Sequence, residues 1–140
     1  MPTRYISPAG SGTKDGSSWD NAAPLASLSK LIDVAGPGGE VLLRADQGAY
    51  HLSDPVFVQA GGAANAPVTI RGVDASGAAR SAEFIGTRAA NWQPGLSEGQ
   101  EAFRLLDGAN HLTFENLSFK NIGNGAFRGA CRKVLPFMVG

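Results

Sequence analysis

Cysteine is almost missing from this chain. Cys131 is the single thiol in 140 residues, which excludes an intrachain disulfide framework and any zinc site built from several thiolates of one chain. An excess of one charge is missing as well. Lys and Arg number 12 against 12 Asp and Glu, so there is no cationic footprint for nucleic acid or an anionic membrane, and neither partner is expected. No apolar run approaches the ~20 residues that span a bilayer. The start, Met1 to Ser7, lacks the apolar stretch of about 7–15 residues that marks a cleavable secretory signal, so no signal peptide is expected in this chain. Nucleophile elbow, phosphate-cradling loop and metal-binding His-Glu helix pattern are all absent from the sequence. Its two histidines, His51 and His111, lie far apart without a ligand-spaced partner.

What is present is glycine. The chain carries 19 Gly and 8 Pro while only 17% of it is charged, against roughly 25% charged and 7% Gly in ordinary soluble domains. Many tight turns and few solvated helices follow, in one domain with enough chain for one core. Residues 7–23 are dense in Gly, Ser and Asp and read as an irregular loop anchored by Trp19. Leu25, Leu28, Leu31, Ile32 and Ala35 then recur at spacings of three and four, the stripe of a helix of about ten residues. Ser27 or Asn21 is the candidate N-cap oxygen, and Gly36-Pro37-Gly38-Gly39 stops the element.

From Val41 the period falls to two. Short apolar runs are expected as strands at Val41–Arg44, Val56–Val58, Val68–Arg71, Glu83–Ile85, Phe103–Leu106, Leu112–Glu115 and Leu117–Lys120. In the last two, Leu112, Phe114, Leu117 and Phe119 point inward, and Asn116 alone separates the strands. One residue is too short for an ordinary hairpin, so the second strand should leave at an angle and join a different sheet. Three strands recur over roughly 25–35 residues, which favours a β-solenoid over the competing sandwich.

The entry Tyr5-Ile6-Ser7-Pro8, the turns Gly10-Ser11-Gly12 and Asp15-Gly16, Trp19, the helix with Pro37-Gly38 after it, the segment Gly61 to Gly72 and the run His111 to Asn121 follow one another in an order that resembles the amino-terminal portion of right-handed parallel β-helix proteins of the pectate-lyase-like superfamily, bacterial polysaccharide lyases in particular. The resemblance covers about residues 4–127. It implies an all-β, right-handed parallel β-helix of about three coils with an N-terminal capping helix. Residues 1–40 would be the entry loop and cap, 41–127 the rungs, and 128–140 an irregular tail, either a cut-short β-helix or an aberrant ending. Leu28, Leu31 and Ile32 would cover the open end of the coil, whose bare strand edges otherwise invite association, and Asn116 resembles the corner asparagine of such rungs.

Polysaccharide lyases neutralise a uronate carboxylate, remove the proton α to it and stabilise the resulting charge, which calls for a cation, often Ca²⁺, together with Lys or Arg. The resemblance therefore implies an acidic polysaccharide as partner and an extracellular or envelope location. No cofactor is evident in this chain, and Ca²⁺ is an expectation for full-length relatives. Arg44, Arg71 and Lys120 stand at outward strand ends and are candidate uronate contacts; equally, such cations are ordinary solvated residues. Asp15, Asp20 and Asn21 offer oxygens that suit Ca²⁺ or, as commonly in Gly-rich loops, side-chain to backbone turns. Catalytic residues of the family lie on central rungs, so this chain is expected to be the capped front end of a lyase-like protein without a complete catalytic set and without an assignable catalytic residue. The competing expectation is a non-catalytic scaffold or adhesin-like surface module. An open lower end would favour self-association.

Overall fold

The computed structural model describes residues 3–52, 56–86, 102–106, 108–120, 122 and 127–129. It is mostly β-strand, arranged in parallel sheets, with one short helix. Strand β1 (Thr3–Ile6) leads through the loop and a 3₁₀ turn at Trp19–Asn21 to helix α1 (Leu28–Ala35). Then come β2 (Glu40–Arg44), β3 (Tyr50–His51), β4 (Val56–Val58), β5 (Val68–Val73), β6 (Ala82–Ile85), β7 (Phe103–Leu105), β8 (Leu112–Glu115), β9 (Leu117–Lys120) and β10 (Phe127–Gly129).

From β2 onward, consecutive strands do not pair with each other. The first sheet has the order β1-β2-β5-β8, the second β3-β6-β9 and the third β4-β7-β10, and every pairing is parallel. From β2 onward the chain visits first, second and third sheet in fixed order, three times over. Glu40 lies beside Thr69 in the first return, and Val68 beside Leu112 in the second. That second interval exceeds the spacing of roughly 25–35 residues expected from the sequence. The extra length includes segment 87–101, which lies outside the described residues.

The helix is shorter than its stripe suggests and is not capped by a side chain. Leu25–Ser27 forms a 3₁₀ turn running into α1, so Ser27 N donates to Pro24 O at 3.0 Å and Leu28 N to Leu25 O. These backbone acceptors take the place of the expected Ser27 or Asn21 cap, and Asn21 Oδ1 instead accepts from Thr13 N at 3.1 Å. Gly36, at φ 71°, ends the helix, with Gly36 N donating to Ile32 O. Leu28, Leu31, Ile32 and Ala35 are buried, and α1 packs against β1, β2 and β4.

Inside the three sheets the register stacks like on like. Tyr50 pairs with Phe84 and Phe84 with Phe119, and their rings stack at 5.1 and 5.5 Å between centroids. Phe103 meets Phe84 edge-on at 5.2 Å and tilts against Phe114 at 5.7 Å. Val41, Leu43, Val68, Ile70, Leu112 and Leu117 fill the rest of this core. Tyr50 carries a hydroxyl into it, donating to the carbonyls of Arg44 at 2.9 Å and Ile6 at 3.3 Å, and burial pushes its pKa above the ordinary phenol value.

Asn116 turns the corner between β8 and β9 at φ 58°, and those strands do enter different sheets. Its Nδ2 donates to Gly72 O at 3.4 Å, and its own carbonyl accepts from Ala82 N at 2.8 Å. The residue beneath it is glycine rather than a second asparagine, because a Cβ at Gly72 would come within 2.5 Å of Asn116 O and 2.8 Å of Ala82 N. Residues 74–81 loop outward between those two contacts, and a Val73–Ala79 bridge closes the loop.

Candidate functional site

Strand alternation decides which side chains face outward. With Val41 and Leu43 in the core, Glu40, Leu42 and Arg44 take the outer face of the first sheet, and the register sets Arg71 beside Leu42 and Glu115 beside Arg71. Arg44 and Arg71 therefore share one face on neighbouring strands. Lys120 does not join them: it is exposed on β9 in the second sheet, in register with Ile85.

Arg44 and Arg71 are both already engaged. Arg44 Nε pairs with Asp46, and the guanidinium lies over the Trp19 ring at 5.2 Å from its centroid. Trp19 in turn meets Tyr5 edge-on at 4.7 Å. The Asp46 carboxyl is held below the ordinary aspartate pKa, chiefly by its hydrogen bond from Arg44. Arg71 Nη2 pairs with Glu40 at 3.3 Å, while its Nε is buried without a hydrogen-bond partner among the described residues. Three carboxylates, Glu40, Asp46 and Glu115, thus stand around two guanidiniums, and this face offers no surplus positive charge.

The third sheet is built differently. Phe103 and Leu105 are buried, so alternation turns Arg104 outward, where register sets it between Phe57 and Arg128. Phe57 is 48% exposed and has the Arg104 guanidinium over its ring at 5.7 Å. No Asp or Glu occurs in β4, β7 or β10. Neither Phe57 nor Arg104 stood out in the sequence. The available signal was a Phe and two Arg at the middle of three short runs, and it becomes legible only once those runs are known to be neighbours.

The Asp15 and Asn21 side-chain oxygens of the entry loop serve turns. Asp15 Oδ1 accepts from Ser17 N at 3.0 Å and Ser17 Oγ at 2.7 Å, bonds that lower its pKa. Asp74 makes the same motif with Ser76. Among the described residues no group of three His, Cys, Asp or Glu is placed to hold a metal ion, and no helix is long and apolar enough to cross a membrane. His111 is a turn residue at φ 54° whose carbonyl accepts from Val68 N. Cys131 and the tail from 130 lie outside the described residues, while β10 carries regular strand two residues beyond the boundary expected at 127.

Neither a family model, nor a curated protein, nor a solved structure matches this chain.

Proposed function

We propose that the chain is the N-terminal, helix-capped part of a right-handed parallel β-helix protein of the pectate-lyase-like kind that engages acidic polysaccharide outside the cell or in its envelope. The observation that supports this reading is the fixed order in which successive strands enter three parallel sheets. Such a winding exposes long, regular columns of outward side chains, and a linear polymer can lie across them. Of the candidate uronate contacts Arg44, Arg71 and Lys120, the first two share one face. Exchanging Asp46 or Glu40 for a uronate costs little, since exposed ion pairs are worth about 0–1 kcal/mol.

Chemistry on the polymer is not assigned to these residues. A lyase needs a base and a cation converging on one carbon acid, and Arg44 and Arg71 face carboxylates that neutralise them. That same neutralisation favours the second reading, a non-catalytic scaffold or surface module. Calorimetric titration of the chain with polygalacturonate, alginate and neutral dextran separates the two. Salt-sensitive binding of the uronate polymers, with dextran inert and no ultraviolet absorbance from unsaturated product, is the expected result. Indifference to all three polymers would leave only the scaffold.

A further inference from the structure

We infer that Trp19 is a built-in cover over Arg44, an autoinhibitory contact through which the entry loop competes with an anionic polysaccharide for one of its two candidate arginines on the first sheet. This rests on the acidic-polysaccharide reading and names what governs access to that site. Three observations carry it. Arg44 and Arg71 point outward from neighbouring strands, yet the Arg44 side chain is 17% exposed and that of Arg71 34%. Each has one carboxylate partner; what Arg44 has in addition is the Trp19 ring, whose centroid lies 5.2 Å from its guanidinium. Leu42 shows the same shielding. Alternation between Val41 and Leu43 turns it outward, but it is only 7% exposed, where Phe57 at an outward position of the third sheet is 48% exposed.

The loop holds the ring in place without help from Arg44. Tyr5 N donates to Gly16 O at 2.9 Å and Ala23 N to Tyr5 O at 3.0 Å, so residues 16–23 form a bight closed on one residue of β1, with the Trp19–Asn21 turn inside it. Tyr5 also meets the Trp19 ring edge-on at 4.7 Å. A guanidinium that lies over an indole and is paired through Nε keeps little of its donor fork for a third partner. A uronate taking a bidentate hold on Arg44 has to draw the guanidinium from both Trp19 and Asp46, whereas on Arg71 it displaces Glu40 alone. Polymer and Trp19 therefore hold Arg44 in turn, and the coupling is reciprocal: each weakens the grip of the other.

The experiment is titration of polygalacturonate into the full chain and its variants, with dextran as the neutral probe. Trp19→Ala should tighten polygalacturonate binding about two- to fivefold, the range of one exposed cation–π contact. The gain should vanish when Trp19→Ala/Arg44→Ala is measured against Arg44→Ala, because without Arg44 there is nothing to uncover. Trp92→Phe leaves Trp19 as the one indole, and in that variant polygalacturonate, but not dextran, should raise the quenching of Trp19 fluorescence by acrylamide. Melting temperature reports whether each variant folds. If Trp19→Ala does not, Asp46→Asn frees the guanidinium from its other partner and should tighten binding with the same dependence on Arg44. Unchanged or weaker binding by folded Trp19→Ala would overturn the cover and leave the polysaccharide reading intact. Quenching that stays constant or falls, or a gain that persists without Arg44, would overturn it too. Failure of polygalacturonate to bind either the wild-type chain or Trp19→Ala would overturn the reading beneath it.

Discussion

The inner and outer columns of this protein obey the same register and have opposite energetics. Inside, Tyr50, Phe84 and Phe119 stack on three successive strands of one sheet; outside, Leu42, Arg71 and Glu115 follow one another across the first sheet, with Glu40 reaching Arg71 from two residues along β2. Parallel pairing brings like positions together in both cases. In the core this turns one aromatic position into a continuous column that excludes water, and each ring gains from both neighbours. On the surface the same repetition aligns charges that water already satisfies, so stability there gains little and function is free to choose the residues. The backbone supplies the periodicity, and solvent decides what the periodicity is worth.

That contrast can be broken most forcefully at its centre. Phe84 touches Tyr50, Phe119 and Phe103 and is fully buried, so Phe84→Ala should cost about 3–5 kcal/mol in urea unfolding. A loss near 1 kcal/mol would mean that the column collapses around the gap. Gly72→Ala comes next, at about 1–3 kcal/mol, because the atoms a methyl would meet are the backbone of Arg80, Asn116 and Ala82 and cannot rotate away. Asn116→Ala should cost about 1–2 kcal/mol, since alanine pays for the left-handed conformation and loses the bond to Gly72. Asn116→Gly should recover part of that loss, and equal melting temperatures for the two variants would dissociate the corner from its backbone conformation. The smallest effect is expected on the outer face, where Arg71→Ala should change stability by about 0–1 kcal/mol. A larger loss would show that its buried Nε and stem pack as part of the core.

Much of the secondary structure was legible because it rests on local patterns. The stripe Leu28, Leu31, Ile32 and Ala35 marks the buried face of α1, and seven strands sit where apolar residues alternate. Three strands were not read. Tyr50–His51 has two residues, too few to show a period, and Thr3–Ile6 and Phe127–Gly129 have one or two apolar side chains each. They are strands because neighbours already in place accept and donate along them, a tertiary cause. The Asn116 corner was legible from its length alone, whereas Gly72 beneath it was not, since its need for glycine comes from the Arg80 and Ala82 backbones that loop back to it. Of the candidate contacts, Arg44 and Arg71 share a face as their outward positions suggest, and Lys120 stands apart because Asn116 carries its strand into another sheet. Charge pairing escaped the sequence reading as well: Asp46 is two residues from Arg44, but Glu40 reaches Arg71 only across the sheet.

The corner also fixes where the chain can vary in length. At Asn116 a single residue joins two sheets, while one circuit earlier the same passage takes residues 74–81, which leave after Val73 and rejoin at Ala82. Both routes meet the same two backbone contacts and carry the strands on in unchanged register. Insertions at this vertex therefore project outward as appendages without shifting a single inward residue. A peptide tag grafted between Val73 and Ala79 should ride on the surface, and one placed at Asn116 would have to leave and return through the span that one residue now bridges.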